Sequence, residues 1–406
     1  MATDVNLTCN YNDATCVYPD DYVGLFWLDP TNSLDQYGKK GFINFDCTKP
    51  SVIFIHGWSN GNISKTIRNY ACISSDFNNR ISHADWLKTW NVGVFRWAPF
   101  ADDDDNSLSP RITETKIHTA VNMRYRMKNS NDFTSIPSTS KLYNKTITDM
   151  FISEYISTGL SIDKEVRLVG HSLGGQVALS VAAALIKRQP IKQVNRIELL
   201  DIFFCNGVIA GYSPTISSSV LAIANLAKIN PLSTPNVPVT WYQCTNLTDC
   251  DLYASSNTRM KSLVAWQGLR FWYLSDTQLA QRHSECISWY FSSFNVSPLQ
   301  TYTYTTPKYW YSYGGWKQNT TDATTKYALS AAVTEKYIKG FMYKPIYLLQ
   351  ICHSMFNKNA TSADGVMTDT CKDDVFSLEQ GFCPDELGLS DYFNYAEIVD
   401  LGISGT

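Results

Sequence analysis

Short apolar runs alternate with helix-period segments through the first two thirds of the chain. Ser51-Val52-Ile53-Phe54-Ile55 reads as a buried strand closed by His56-Gly57. Asn91 to Trp97 reads as a second, ending in Pro99 and a polar loop. Glu165-Val166-Arg167-Leu168-Val169 is a third, and Arg196-Ile197-Glu198-Leu199-Leu200 a fourth. Between the last two, Gln176 to Arg188 is rich in Ala, Leu and Val, with basic residues in its last turn and Pro190 just beyond, which is the pattern of a helix. Strands separated by helices imply βαβ units, hence an α/β fold with a mostly parallel central sheet flanked by helices. Functional residues in such sheets gather at the carboxyl ends of the strands. Further on, Thr301 to Trp316 alternates Thr and Tyr and suits a β-hairpin closed near Gly314-Gly315.

Composition removes several function classes. A chain of 406 residues, 44% of them hydrophobic, can bury roughly 75% of its unfolded surface. With 34 basic and 37 acidic side chains the net charge is −3, which argues against nucleic acid as a partner. An aromatic content of 13% argues against disorder. Val177 to Ile186 is too short and too interrupted to be a transmembrane segment. The run Asp102-Asp103-Asp104-Asp105 could suggest a calcium site, but consecutive side chains cannot all point inward, so it is expected to be a solvated loop.

The eleven cysteines include no CxxC and no zinc-like spacing, so no metal is expected. Easy local closures are Cys9–Cys16, Cys244–Cys250 and Cys371–Cys383, although spacing alone leaves connectivity open. Glycosylation acceptor patterns occur at Asn6, Asn62, Asn144, Asn246, Asn295, Asn319 and Asn359. Together these point to an oxidising, extracellular setting, and Met1-Ala2-Thr3-Asp4 has no apolar core of a signal peptide, as in a mature secreted chain. The alternative is a set of free, buried thiols in a reducing compartment.

Gly170-His171-Ser172-Leu173-Gly174-Gly175 falls between the third strand and its helix. A nucleophilic serine must stand clear of the sheet for a carbonyl carbon to reach its Oγ, and a sharp strand-to-helix turn does this. Residues two before and two after the serine then crowd the neighbouring strand and helix, where glycine leaves room. The following helix aims its first amides at the place where negative charge develops. His56-Gly57-Trp58, at the end of the first strand, would complete an oxyanion hole: the amides of Trp58 and Leu173 are the expected donors, each contributing about 3–4 kcal/mol in the transition state. His56 itself reads as a structural residue of that turn.

With these motifs the chain resembles the pancreatic lipase and phospholipase A1 family of secreted α/β-hydrolases, over about residues 22 to 295. Phe26-Trp27-Leu28-Asp29-Pro30-Thr31-Asn32 resembles its early strand and Asn-Pro turn, and Val52 to Trp58 its oxyanion strand. Asn91 to Trp97 resembles its next strand, which in the family usually ends in Asp-Trp, and Ala120-Val121-Asn122-Met123-Arg124 looks like the helix after it. Val169 to Gly174 matches its nucleophile signature.

In that fold the triad follows the order serine, acid, histidine. Asp201 ends the fourth strand, where the family places its acid; the alternative is a turn cap, with Asp249, Asp251 and Asp276 as fallbacks. Of six histidines only His283 and His353 follow Asp201. His283 precedes Cys286 to Phe291, which reads as a helix packed on the sheet, as in the resembling enzymes. His353 reads as core or a strand end, and His83 and His118 as surface residues. The match departs at Ile202-Phe203-Phe204, where the family has Pro-Ala, and at the short Cys244–Cys250 loop where a longer lid is usual. Leu263 to Leu274 is a second candidate flap, with core packing as the equal alternative. Residues 297–406, past a possible boundary near 296, have the length of a lipid-binding β-sandwich. Gly381-Phe382-Cys383-Pro384 instead resembles the close of the catalytic domain, and one enlarged domain over 1–406 is expected.

The resemblance implies a secreted serine carboxylic ester hydrolase with Ser172, Asp201 and His283 as its triad, acting on acyl lipids at a lipid–water interface without a cofactor. Triacylglycerol lipase and phospholipase A1 are the two activities it brings in. The alternatives are a catalytically silent, yolk-protein-like scaffold on the same frame, and an esterase, thioesterase or peptidase using the same turn.

Overall fold

The structure is a computed structural model. It describes residues 19–28, 34–36, 45–58, 87–103, 110–127, 132–158, 164–188, 194–205, 208–213, 215–230, 237–245, 260, 263–271 and 277–293, with four later strands at 301–305, 315–319, 348–352 and 374–378. The chain divides into two compact units, Met1–Val239 with Leu247–Met260, and Thr240–Asn246 with Lys261–Thr406.

The first unit carries a mixed, mostly parallel sheet. Its strands are β1 (Gly24–Leu28), β2 (Leu34–Gln36), β3 (Ser51–Ile55), β4 (Asn91–Arg96), β7 (Val166–His171) and β8 (Arg196–Leu200), in the order β2-β1-β4-β3-β7-β8. From β4 to β8 the pairs are parallel, and β1 and β2 close the other side antiparallel. β1, β3, β4 and β7 are buried along their whole length, so they carry apolar side chains on both faces instead of alternating. The expected strands at Ser51–Ile55 and Arg196–Leu200 coincide with β3 and β8, and the other two lie within a residue or two of β4 and β7.

Among the described residues this sheet is accompanied by α1 (Arg111–His118), α2 (Ile147–Ser157), α3 (Leu173–Arg188) and α4 (Ser218–Ile229). α3 packs on β3, β7 and β8, and α2 packs against β1 and α3. α2 starts in a capping box, with Thr146 Oγ1 accepting from Asp149 N–H and the Asp149 carboxylate accepting from Thr146 N–H. Ala120 to Arg124 is not the expected helix. α1 stops at His118, Asn122 adopts φ 54, and the chain turns into a short hairpin, β5 (Arg124–Arg126) with β6 (Phe133–Ser135).

That hairpin also corrects the reading of the aspartate run. Asp102 and Asp103 are buried, not solvated. Asp103 takes a bidentate pair from Arg124, both bonds 2.8 Å, and an ion pair from Lys116 at 2.7 Å, while Arg126 meets Asp102. The three cations also surround the Phe133 ring. Burial pushes the Asp102 carboxyl up to about 6. Asp104 and Asp105 lie outside the described residues.

In the second unit β9 (Val239–Gln243) and β10 (Ala265–Phe271) pair parallel, followed by β13 (Leu348–Cys352) parallel and β14 (Asp374–Leu378) antiparallel. β11 (Thr301–Thr305) and β12 (Gly315–Asn319) pair antiparallel as expected, but Gly315 lies in the ladder opposite Thr305 and not in the closing turn. β10 occupies the centre of Leu263 to Leu274, for which the sequence leaves a flap and core packing as equal readings, and its ladder with β9 makes it a sheet strand. Helix α5 (Leu279–Ser293) is fixed to β9 by the Cys244–Cys286 disulfide and by Tyr242 against Tyr290, with ring centroids 5.6 Å apart. The expected local closure Cys244–Cys250 is therefore replaced: folding α5 against β9 brings Cys286 within 6.1 Å of Cys244, Cα to Cα. Cys47 is a free thiol, and Cys9, Cys16, Cys250, Cys371 and Cys383 lie outside the described residues.

Candidate active site

β7 ends at His171 and α3 begins at Leu173, so the whole change of direction falls on Ser172. Its φ is 56, a left-handed conformation that strains a side-chain-bearing residue by about 1–3 kcal/mol. Two hydrogen bonds hold it there: Ser172 N–H donates to Leu200 O at 3.0 Å, and Gly175 N–H donates to Ser172 O at 3.0 Å. The flanking glycines are demanded by contact. A Cβ on Gly174 would lie 2.0 Å from Ile55 O, and one on Gly170 would lie 2.4 Å from Gly174 O.

The turn after β3 lies directly against the serine. A Cβ on Gly57 would fall 2.5 Å from Ser172 Cβ and 3.0 Å from its Oγ. Trp58 follows, half-buried, and Leu173 opens α3, where the first backbone N–H groups have no intrahelical acceptor. Leu173 thus follows Ser172 directly, and Trp58 follows Gly57, the residue packed against that serine.

His56 shapes that turn, as its sequence position suggested. Its Nε2 accepts from Trp97 N–H at 3.1 Å, which leaves Nδ1 as the protonated nitrogen, 2.9 Å from Gly57 O. The ring stacks on Trp97, whose Nε1–H donates to His56 O at 2.8 Å. Burial lowers the imidazole to about 3, so it stays neutral. Arg96, where the resembling family has Asp, is buried with its guanidinium 4.3 Å over the Phe26 ring, and burial lowers it to about 10.

Asp201 follows β8 as Ser172 follows β7. The two strands are paired with His171 opposite Leu200, so serine and aspartate are the next residues at neighbouring strand ends. Asp201 is fully buried and, like Ser172, has positive φ, 45. Four of the expected residues, Trp58, Ser172, Leu173 and Asp201, thus share one unit and one sheet edge.

His283 belongs to the second unit. It is half-buried in the second turn of α5, three residues before Cys286 and so on the same side of the helix as the disulfide. His353, His83, Asp249, Asp251 and Asp276 lie outside the described residues. His118, expected at the surface, is half-buried against α3. Its Nε2 bonds Gln176 Oε1 at 2.9 Å, and burial lowers it to about 4.

Gln176 and Glu114 are residues that the motif reading missed. Gln176 Nε2 donates to Phe203 O at 2.6 Å and to Glu114 Oε1 at 2.7 Å, and Glu114 Oε1 also accepts from Cys205 N–H at 2.9 Å. A lone amide four residues after Ser172, in an otherwise apolar helix face, is the only sequence signal of this group. Glu114, in Thr113-Glu114-Thr115, gives none.

Among the described residues no group of His, Cys, Asp and Glu could hold a metal ion, and no helix is long and apolar enough to cross a membrane. Of the seven acceptor asparagines, Asn144 is exposed at a turn with φ 55 and Asn319 ends β12; Asn6, Asn62, Asn246, Asn295 and Asn359 lie outside the described residues.

No protein-family model and no curated protein sequence matches the chain. Among solved structures it is similar to a lipase-esterase related protein from Clostridium acetobutylicum, at 14% identity and a TM-score of 0.24, over 53% of this chain and 83% of that one. A likeness at that TM-score carries no weight for function, which rests on the site itself.

Proposed function

We propose that this chain is a serine carboxylic ester hydrolase of the α/β-hydrolase fold, acting on acyl lipids in the manner of a triacylglycerol lipase or phospholipase A1. The observation that carries the reading is Ser172. It sits alone between β7 and α3 at φ 56, with Gly57 against its Oγ and Asp201 beside it on the paired strand. Chains accept that strain where a side chain must be presented to a reactant.

His283 takes the Oγ proton as Ser172 attacks the ester carbonyl carbon. Asp201 orients the imidazole and stabilises its charged form. The Trp58 and Leu173 amides hold the oxyanion. Collapse expels the alcohol, which leaves with the proton from His283, and Ser172 keeps the acyl group. Water, giving a proton to His283, then attacks the acyl-enzyme and releases the carboxylic acid and free Ser172. No metal or organic cofactor enters.

The acyl-lipid assignment, and membership of the pancreatic lipase and phospholipase A1 family, rest on the resemblance of residues 22 to 295. Secretion is part of the proposal, supported by the Cys244–Cys286 disulfide and by the exposed acceptor Asn144. The test is turnover of triacylglycerol, phosphatidylcholine and a short-chain ester by the purified protein, with Ser172→Ala, Asp201→Asn and His283→Ala alongside. Turnover of an acyl lipid that each substitution abolishes supports the reading. Turnover of the soluble ester alone overturns the lipid assignment, and no turnover of any ester favours a silent scaffold.

A further inference from the structure

Behind the serine turn lies a chain of polar side chains, buried except for the half-buried His118, whose donors all run one way. Gln176 spends both amide hydrogens, one on Glu114 Oε1 and one on Phe203 O, so its Oε1 must accept, and His118 Nε2 therefore carries a hydrogen. His118 Nδ1 is then an acceptor, facing Ser180 Oγ at 3.4 Å, and Ser180 Oγ takes a hydrogen from Asn225 Nδ2 at 3.3 Å. The series starts on α4, passes through α3 and α1, and ends on the Glu114 carboxylate and the loop after β8.

Glu114 is 5% exposed, and burial pushes its carboxyl up, opposed by the hydrogen bonds from Cys205 N–H and Gln176. The described cation nearest in sequence, Lys116, is committed to Asp103. A buried carboxylate fed only by neutral donors is costly to keep. What it secures is specific: Cys205 N–H on Glu114 and Phe203 O on Gln176 are backbone groups of the segment that follows Asp201. Gln176 lies in the first turn of α3, four residues after Ser172. The segment also approaches α3 closely elsewhere, since a Cβ on Gly175 would lie 2.8 Å from Ile202 Cγ1.

We propose that Glu114 and Gln176 are positioning residues, a clamp that fixes the acid-bearing segment, residues 201–205, to the nucleophile helix and thereby sets where the Asp201 carboxylate stands. The inference deepens the hydrolase reading and rests on it. Asp201 has positive φ and no glycine's freedom to adopt it, so its direction depends on the segment on its carboxyl side being held. A misplaced aspartate stabilises the imidazolium less. The histidine then titrates lower, and the oriented fraction of the triad falls.

The experiment measures kcat, KM and the pH dependence of kcat/KM for a soluble ester with the full chain, Glu114→Met and Gln176→Met, and records melting for each. Glu114→Met removes the one oxygen that accepts from both Gln176 Nε2 and Cys205 N–H. Gln176→Met keeps the bond from Cys205 N–H but frees Phe203 O, and carries the test alone should Glu114→Met fail to fold. Displacements near 1 Å cost on the order of 100-fold in rate, so kcat should fall roughly 10–100-fold with KM little changed. The acidic limb of the profile should move to lower pH in both variants. Normal turnover with an unmoved limb in a folded variant overturns the clamp while leaving the hydrolase intact. Lower kcat with an unmoved limb overturns it too, as general loosening. An unsubstituted protein that turns over no ester overturns the hydrolase reading and the clamp with it.

Discussion

Gly57→Ala is the smallest change that reaches the centre of the proposed site. The added methyl carbon would lie 2.5 Å from Ser172 Cβ, 2.9 Å from His171 O and 3.0 Å from Ser172 Oγ. Non-bonded carbons rest about 3.5 Å apart or more, so the β3 turn and the serine turn must separate by roughly 1 Å. Neither is free to yield. Ser172 is held by its bonds through Leu200 O and Gly175 N–H, and the β3 turn by the His56–Trp97 bonds. Overpacking of this kind costs about 1–3 kcal/mol of stability, or roughly 5 °C in melting temperature for a unit of this size. Catalysis should suffer more. A shift of about 1 Å between a nucleophile and the donors that stabilise its oxyanion is worth on the order of 100-fold in kcat. Initial rates on a soluble chromogenic ester, with scanning calorimetry in parallel, measure both. Full activity with an unchanged melting temperature would refute the packing of β3 against Ser172, and with it the oxyanion assignment.

Three further outcomes follow from the same geometry. The Cys244–Cys286 bridge closes a loop with a sequence separation of 42, so reducing it or making Cys286→Ser should destabilise α5 and β9 by up to about 4 kcal/mol. Loss of ester turnover should accompany this if His283 on α5 is the base, and coincident melting curves with and without reductant would contradict it. His118 is depressed to about 4 from an ordinary 6.5, so its contribution is full above pH 6.5 and drains away as pH falls toward 4. His118→Gln should flatten urea midpoints over that window, and an unchanged slope would count against the buried network. Asp102 is raised to about 6, so the folded state binds its proton more tightly and its contribution is lost as pH climbs from about 4 through 6. Asp102→Asn should remove that decline, and a persisting decline of the same size would place its source elsewhere.

The parts of this fold that local pattern could reveal are those whose cause is local. β3 is readable because a strand buried on both faces leaves an almost unbroken apolar run. The serine turn is readable because Gly170 and Gly174 are forced by contacts within a few residues or with the adjoining strand. Other features answer to distant residues. Asp102 and Asp103, in a run of four aspartates, look solvated until Lys116, Arg124 and Arg126 arrive from other elements. Ala120 to Arg124 looks helical until Asn122 takes a positive φ. The aromatic segment around Trp266 looks like a flap until β9 supplies its ladder. Cys244 has a near neighbour in Cys250, yet bonds a cysteine on the helix that packs over it. Glu114 and His118 carry no motif at all, since the structure alone shows that they feed the segment after Asp201.

The central claim is that Ser172 is an activated nucleophile. Its most direct test is to expose the native protein to a fluorophosphonate, digest it and locate the adduct by mass spectrometry. The account predicts stoichiometric labelling of Ser172 in the folded protein, abolished by denaturation beforehand and strongly slowed in His283→Ala. An unlabelled Ser172, or labelling spread over many serines regardless of folding, would contradict it.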